Sequence, residues 1–397
     1  MTRGRFAPSP TGRMHLGNVF CALLSWLSAK SQGGEWVLRI EDLDPQRSRK
    51  EYALQLMDDL QWLGLPWDGE PVWQSQRGHI YEEYLRRLTE MGLTYPCHCT
   101  RADIMATQAP HETDGRVVYK GTCRPRAIDA IGAIDSIGSI DSVIRTVPAT
   151  TLPPTVSLSQ GDEEQRSGGG MSPHRSPLTI TPATTRLIVP DCTIPFTDGH
   201  YGRHDINLAE HCGDYIVRRK DGAWAYQLAV VVDDALMGIT EIVRGRDLLL
   251  SSPQQIHLRE LLFFERKTEN GTDAGSESRS KIYFDYAEQQ GGKDREAGLK
   301  RKNNSLTAHH SPLTVNFFHH PLLCNAEGQR LCKRDKSMDL GYLREKGTTA
   351  GEIIGLLAHL AGLTDTPAPI TPTELLPLFS WDKVPTEDIM LDKQIML

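Results

Sequence analysis

Near its start the chain spells out a strand, a turn, a helix and a second strand so closely spaced that few folds can hold them. Phe6 and Ala7 end a short apolar run, and Pro8, Pro10 and Gly12 make a turn. Val19 to Lys30 then sets Phe20, Leu23, Leu24 and Leu27 on one helical face. Gly33 and Gly34 stop that helix, and Trp36 to Ile40 makes the next strand. Two strands joined through one helix lie parallel with a right-handed crossover, so Arg5, His15 and Glu41 are expected around one crevice at the strand ends. Backbone donors at a helix start favour an anion, Gly17 allows a ligand to approach the backbone, and His15 can donate to phosphate oxygens. The crevice is therefore expected to hold a nucleotide.

At 397 residues, with 39% hydrophobic and 24% charged side chains, the chain can bury one large core or two modest ones. No apolar run approaches the length of a bilayer span, and residues 1–30 lack the uninterrupted apolar core of a signal peptide. A cytoplasmic protein with no membrane contact is expected. The net charge of −7 argues against nonspecific, charge-driven nucleic-acid binding but leaves room for a local basic groove.

Of the eight cysteines, only Cys97, Cys99 and Cys123 have metal-like spacing. If Cys97-His98-Cys99 is extended, alternation sends both thiols to one side and His98 to the other. The spacing leaves two readings open, a zinc site and three free thiols. The helices Glu51 to Leu63 and Ile80 to Met91 carry ordinary apolar stripes, and Trp62 and Trp67 are expected to pack rather than stack on a base.

Two stretches differ from the rest. Ile128 to Ser142 repeats isoleucine every third residue, a period of neither strand nor helix stripe, and the chain stays rich in Ser, Thr, Pro and Gly to about Thr185. A mostly disordered or loosely packed insertion is expected. A second polar stretch, about Lys267 to Ser311, ends in a basic patch at Lys300-Arg-Lys302; it reads as a solvated loop or as an arm reaching phosphates. Between them, Asp214 to Gly222 resembles a hairpin, Tyr226 to Asp234 has the continuous apolar run of a buried parallel strand, and Ile239 to Val243 a further strand. Ser251-Ser-Pro253 opens a helix after Arg244-Gly-Arg-Asp247.

The segments Arg5-Phe6-Ala7-Pro8-Ser9-Pro-Thr-Gly, His15-Leu-Gly17-Asn18 and Arg39-Ile-Glu41-Asp-Leu-Asp44 together resemble the HIGH region of class I aminoacyl-tRNA synthetases of the glutamyl and glutaminyl branch. Tyr226 to Leu249 resembles the second half of the same catalytic domains. His319 to Arg334 resembles their KMSKS segment, with Lys333 as the lysine and with Arg330 and Cys332 replacing the usual Lys and Ser. The literal match, Lys333-Arg-Asp-Lys-Ser337, is set aside because the Asn325-x-x-Gly328-Gln context aligns Arg330 to Arg334.

The resemblance implies an α/β fold, a Rossmann-like parallel sheet with a zinc-containing insertion at about 97–125 and a short helical C-terminal segment. It implies one catalytic domain over 1–340, with insertions at about 127–185 and 267–312, and a helical extension over 341–397. It implies catalysis by His15, Asn18 and Lys333, and ATP, with Mg2+, held by His15, Gly17, Asn18 and Lys333. L-Glutamate would be bound by Arg5, Phe6, Ala7, Pro8, Ser9, Glu41, Tyr226 and Arg244. The charges suit that ligand, since arginine forks hold carboxylates and Glu41 can receive the amine. A lysine on a loop suits pyrophosphate departure.

For the cysteine group the resemblance implies a structural Zn2+ on Cys97, Cys99, Tyr119 and Cys123, with His111 in reserve. The residues after Arg334 are too few for a large anticodon-binding domain. With the CxC, Tyr, Cys group, that points to the glutamyl-Q tRNA(Asp) synthetase branch, whose members glutamylate queuosine at the wobble position of tRNA(Asp). A monomer acting on that tRNA is expected. The rival expectations are a truncated glutamyl-tRNA synthetase charging the 3′ end of tRNA(Glu), and a noncatalytic paralogue that binds tRNA or a protein.

Overall fold

A computed structural model describes residues 1–106, 118–125, 183–263, 315–331 and 339–391. The chain divides into two compact units, Met1–Cys123 with Ala183–Leu397 and Arg124–Pro182; the described strands and helices all belong to the first. Apart from residues 183–185, both unusual stretches lie outside the described residues, as do His111, Cys332 and Lys333.

Strand β1 (Arg3–Phe6), helix α1 (Leu16–Ser31) and strand β2 (Glu35–Ile40) make the expected unit, and β1 pairs in parallel with β2, Arg5 opposite Val37. His15 closes the helix start: its Nδ1 accepts the Gly17 N–H at 3.1 Å, while Asn18 Oδ1 accepts the His15 N–H at 3.1 Å. This reciprocal cap satisfies backbone donors that the first turn leaves without partners. At the far end Gly33 adopts a φ of 64°, the left-handed conformation that ends the helix.

The chain continues through α2 (Lys50–Trp62), β3 (Val72–Trp73), α3 (Gly78–Glu90), β4 (Thr94–Cys97) and α4 (Arg101–Ala106). It resumes with β5 (Thr184–Leu187), so the first unusual stretch gives way to strand at its last residues. Next come β6 (Thr193–Asp198), β7 (Gly202–Asn207), α5 (Leu208–His211), β8 (Tyr215–Arg218), α6 (Tyr226–Leu236), β9 (Glu241–Gly245) and α7 (Ser252–Phe263). After β10 (Asn316–His320) and β11 (Leu323–Cys324) come α8 (Leu340–Glu345), α9 (Ala350–Leu360), α10 (Pro372–Leu375) and β12 (Ile389–Met390).

Seven strands form the main sheet in the order β3-β2-β1-β9-β10-β6-β7, parallel throughout except for the β6–β7 hairpin. Alternation sorts its side chains. Phe6, Leu38 and Val243 join the core around α1, whereas Val37, Ile242 and Phe317 cluster on the opposite face. By the same alternation Arg5, Arg39, Arg244 and His319 belong to that second face. A smaller antiparallel sheet, β4-β5-β8, carries the cysteine segment.

Tyr226 to Asp234, expected as a strand, falls within helix α6. Leu228 to Asp234 are all buried, and α6 packs against α3, β8 and α7, so it has no polar face to reveal a helical period. An apolar run hidden on every side reads the same in either conformation.

Residues 339–391 complete the core on the α1 side, where Ile353, Ile354, Leu357 and Leu375 lie buried with Phe20 and Leu24. A capping box between Thr349 and Glu352 starts α9. No helix among the described residues is long and apolar enough to cross a membrane.

Candidate active site

The chain leaves β1 toward β2 and β3 on one side, while β9 and β10 lie on the other, so the strand order reverses between β1 and β9. The strands on either side are joined by connections that leave in opposite directions, which opens a crevice at the C-terminal ends of the sheet. A cleft of about 460 Å³ lies there. Arg5, Phe6, Ala7, Pro8, Ser9, His15, Gly17, Asn18, Glu41, Tyr226 and Arg244 all line it. Tyr226 reaches it from the first turn of α6, a helix where a strand was expected, and remains 38% exposed there.

The loop after β1 is tied to the end of β2, because the Glu41 N–H donates to the Pro8 carbonyl at 3.0 Å. Across it, the helix start is electrically prepared for an anion. Since His15 Nδ1 accepts from Gly17, the neutral ring carries its proton on Nε2. Gly17 lies so close to that ring that a Cβ there would sit 3.0 Å from it.

Behind Arg5 and Glu41 on one wall of the cleft lies a buried ion network. Arg39, with 0% exposure, donates to Asp234 Oδ1 at 2.6 Å and to Glu41 Oε1 at 3.2 Å, and its Nε stands 3.9 Å from Asp233. Arg5 donates to Asp234 Oδ1 at 3.3 Å and to the Val243 carbonyl at 3.4 Å. Asp233 is further bound by Gln74, Arg77 and Tyr81. Burial alone would raise the Asp234 carboxyl; Arg39 and Arg5 outweigh it and hold the group below its ordinary value. Burial dominates at Glu41, whose carboxyl stays above the ordinary value despite Arg39 and Arg5.

The facing wall is built differently. Arg244 donates to His319 Nε2 at 3.0 Å, Gln255 Oε1 at 2.7 Å and Ser252 Oγ at 2.7 Å. All three partners are uncharged or neutral acceptors, and no described carboxylate lies within ion-pair distance of this buried guanidinium. Burial lowers its pKa below the ordinary arginine value, with Tyr226 and Asp234 opposing. His320 closes the cleft floor, its Nδ1–H donating to the Pro321 carbonyl at 2.8 Å. Arg330 pairs with Asp247 at the rim.

The cysteine group assembles away from this cleft. Cys97, Cys99 and Cys123 bring their sulfurs within 4.8 Å of one another. Tyr119 Oη lies 3.4 Å from Cys97 Sγ and 3.8 Å from Cys99 Sγ, and accepts the Cys123 N–H at 2.7 Å. Arg186 stacks on the Tyr119 ring, 3.8 Å from its centre. Three thiols this close together make a soft donor set of the kind that suits Zn2+, with the Tyr119 phenol beside them.

Several residues that hold the cleft-lining side chains in place were not singled out from the sequence. Arg39 stands two residues before Glu41, so strand alternation could have placed both on one face. His319 sits in a motif read for its downstream lysine. Asp198 and Gln255 come from segments whose arrival depends on the sheet order, and no local pattern marks them; Ser252 was legible only as part of a helix start.

A doubly wound sheet with a cleft at the reversal of its strand order, between the capped start of α1 and a buried arginine, has the architecture of an α/β nucleotide-binding domain. Residues 1–129 and 177–270 match the family model described as tRNA synthetases class I (E and Q), catalytic domain. The glutamyl-Q tRNA(Asp) synthetase of Symbiobacterium thermophilum is 35% identical, over 98% of this chain and 96% of its own length. That of Nitratidesulfovibrio vulgaris is 34% identical over 100% of this chain and 97% of its own. The chain belongs to this class I family and, within it, to the glutamyl-Q tRNA(Asp) synthetases. The crystal structure of a glutamate tRNA ligase from Elizabethkingia meningosepticum in complex with its amino acid shares the fold, with a TM-score of 0.62 at 22% identity, covering 100% of this chain and 68% of that one.

Proposed function

We propose that the chain uses ATP to activate L-glutamate as glutamyl-adenylate and transfers the glutamyl group to queuosine in tRNA(Asp). The observation that carries this is Arg244, a buried cation with neutral partners only, facing the same cleft as the His15-capped helix start. The names of the relatives support the choice of amino acid and of tRNA.

In this reading the phosphates of ATP lie over the start of α1, where the helix dipole, Asn18 and the His15 Nε2–H face the charge that develops at the α-phosphate. Arg5 and Arg244 take the carboxylates of glutamate, and Glu41 takes its ammonium. Phe6 to Ser9 form the backbone floor, and Tyr226 closes the side. One carboxylate oxygen then attacks the α-phosphate, and pyrophosphate leaves; positioning and electrostatics replace any protein nucleophile, with magnesium offsetting the phosphate charge. Leu331 lines the cleft, and Asp339 forms a backbone bridge with His15. Lys333 lies outside the described residues, and the resemblance of its segment assigns it to the departing pyrophosphate.

Cys97, Cys99, Cys123 and Tyr119 would hold zinc, which when bound would tie the end of β4 to residues 119–123. Metal analysis is expected to return about one zinc per chain, lost in Cys97→Ser and in Cys123→Ser. A wild-type protein free of metal after purification without chelators would remove the zinc assignment.

The decisive experiment is transfer of labelled glutamate to tRNA(Asp) with and without queuosine, with tRNA(Glu) as the control. Label on the queuosine-containing tRNA alone is expected. Label on tRNA(Glu) would mean a charging enzyme, and label on neither would mean a noncatalytic protein.

A further inference from the structure

Arg244 on β9 and His319 on β10 are partners in the parallel register, so their side chains leave the sheet together on one face. A guanidinium has no lone pair to offer, so the 3.0 Å contact between Arg244 Nε and His319 Nε2 requires the imidazole to accept there. The neutral ring must then carry its proton on Nδ1. That proton points at Asp198 Oδ2, 2.6 Å away. Asp198 ends β6, and its Oδ1 is held by the backbone N–H groups of His200 at 3.0 Å and Tyr201 at 2.8 Å. The turn passes tightly over β10, since a Cβ on Gly199 would meet the Phe318 ring. Asp198 and His319 are both buried, as is Arg244.

We infer that Asp198 and His319 are positioning residues for the amino-acid pocket: Asp198 fixes the His319 tautomer, and His319 fixes the plane of Arg244 against the substrate carboxylate. The inference rests on the reading of Arg244 as a glutamate-binding residue. Gln255 completes the frame, itself held by a bond from its Nε2 to Gln227 Oε1 at 2.9 Å. The imidazole has a second use. Asp198 directly on Arg244 would form an ion pair and compete with the carboxylate of the substrate. With a neutral ring between them, Asp198 sets the orientation while the positive charge of Arg244 stays available to the ligand.

The test is glutamate-dependent ATP-pyrophosphate exchange, with KM measured separately for glutamate and for ATP. Asp198→Asn keeps an oxygen for the turn N–H groups and presents an amide N–H to His319 Nδ1. That reverses the tautomer and sets His319 Nε2–H against Arg244 Nε–H. The glutamate KM is expected to rise about 10-fold or more, the ATP KM to stay near wild type. His319→Leu should do the same. His319→Gln can accept from Arg244 and donate to Asp198, and should recover most of the loss.

A glutamate KM unchanged in both Asp198→Asn and His319→Leu, while Arg244→Gln raises it, would overturn this inference and leave the Arg244 assignment standing. An Arg244→Gln variant with unaltered glutamate KM would sink both. Equal rises in the two KM values in Asp198→Asn, or equal losses in His319→Gln and His319→Leu, would reduce the pair to a structural role.

Discussion

Arg39 and Arg244 sit on the same face of the same sheet, 0% and 4% exposed, and their surroundings treat them in opposite ways. Around Arg39 the wall supplies Asp234, Glu41 and Asp233. Burial would lower the Arg39 pKa, but those carboxylates outweigh it and hold the cation above its ordinary value. Around Arg244 the wall supplies an imidazole, an amide and a hydroxyl, and burial is left to lower its pKa. A buried cation whose charge is already balanced belongs to the scaffold. One whose hydrogen bonds are made but whose charge is not is prepared for an anion that comes from outside. The contrast separates Arg39 from Arg244 without reference to any ligand; Arg5, which shares Asp234 with Arg39 and lines the cleft, stands between them.

The largest effect should come from the balanced side. Arg39→Met leaves three carboxylates buried without their shared cation and is expected to cost about 3–5 kcal/mol in urea denaturation. A loss under about 1 kcal/mol would erase the distinction between the two walls. Arg244→Gln should invert the pattern. With no carboxylate abandoned, stability is expected to change by about 1 kcal/mol or less, while kcat/KM for glutamate falls about 100-fold. Severe unfolding in that variant would show that Arg244 is framework as well.

Acid titration gives the smallest and most specific signal. The folded Asp234 carboxyl lies below its ordinary value of 3.8, so the unfolded chain binds the proton first as pH falls. The stabilisation is complete above that value and is lost as pH drops through it toward the folded pKa. The gap in urea midpoint between wild type and Asp234→Asn should be widest above about pH 5 and should narrow below about pH 4. A gap constant from about pH 6 to about pH 3 would mean that Asp234 gains nothing from Arg39 and Arg5.

Local sequence carried much of the cleft. The spacing of Phe6, Gly12, His15 and Gly33 was enough to place a strand, a turn and a helix, because each boundary is marked by a residue with its own conformational preference. Glu41 followed because it ends the next strand of the same unit. The residues from Tyr226 to Asp234 were misread for an equally local reason. A helix whose central run is buried on all sides needs no polar stripe, so nothing in its period set it apart from a buried strand. Tyr226 still reached the cleft, since the first turn of a helix and the end of a strand can offer a side chain to the same space.

What the sequence determined by itself was therefore the set of elements whose signals lie within a turn or two of chain: the turn before α1, the β1-α1-β2 crossover, and the cysteines that alternation puts on one side. The partners of Arg244 were decided only by tertiary structure. Asp198 precedes His319 by 121 residues, and the two meet because β10 lies between β9 and β6 in the sheet. Charge balance around a buried group depends on every strand and helix that closes over it, and burial itself exists only once the sheet is assembled. The motif could name Arg244, but only the assembled walls show that its charge is left for a ligand.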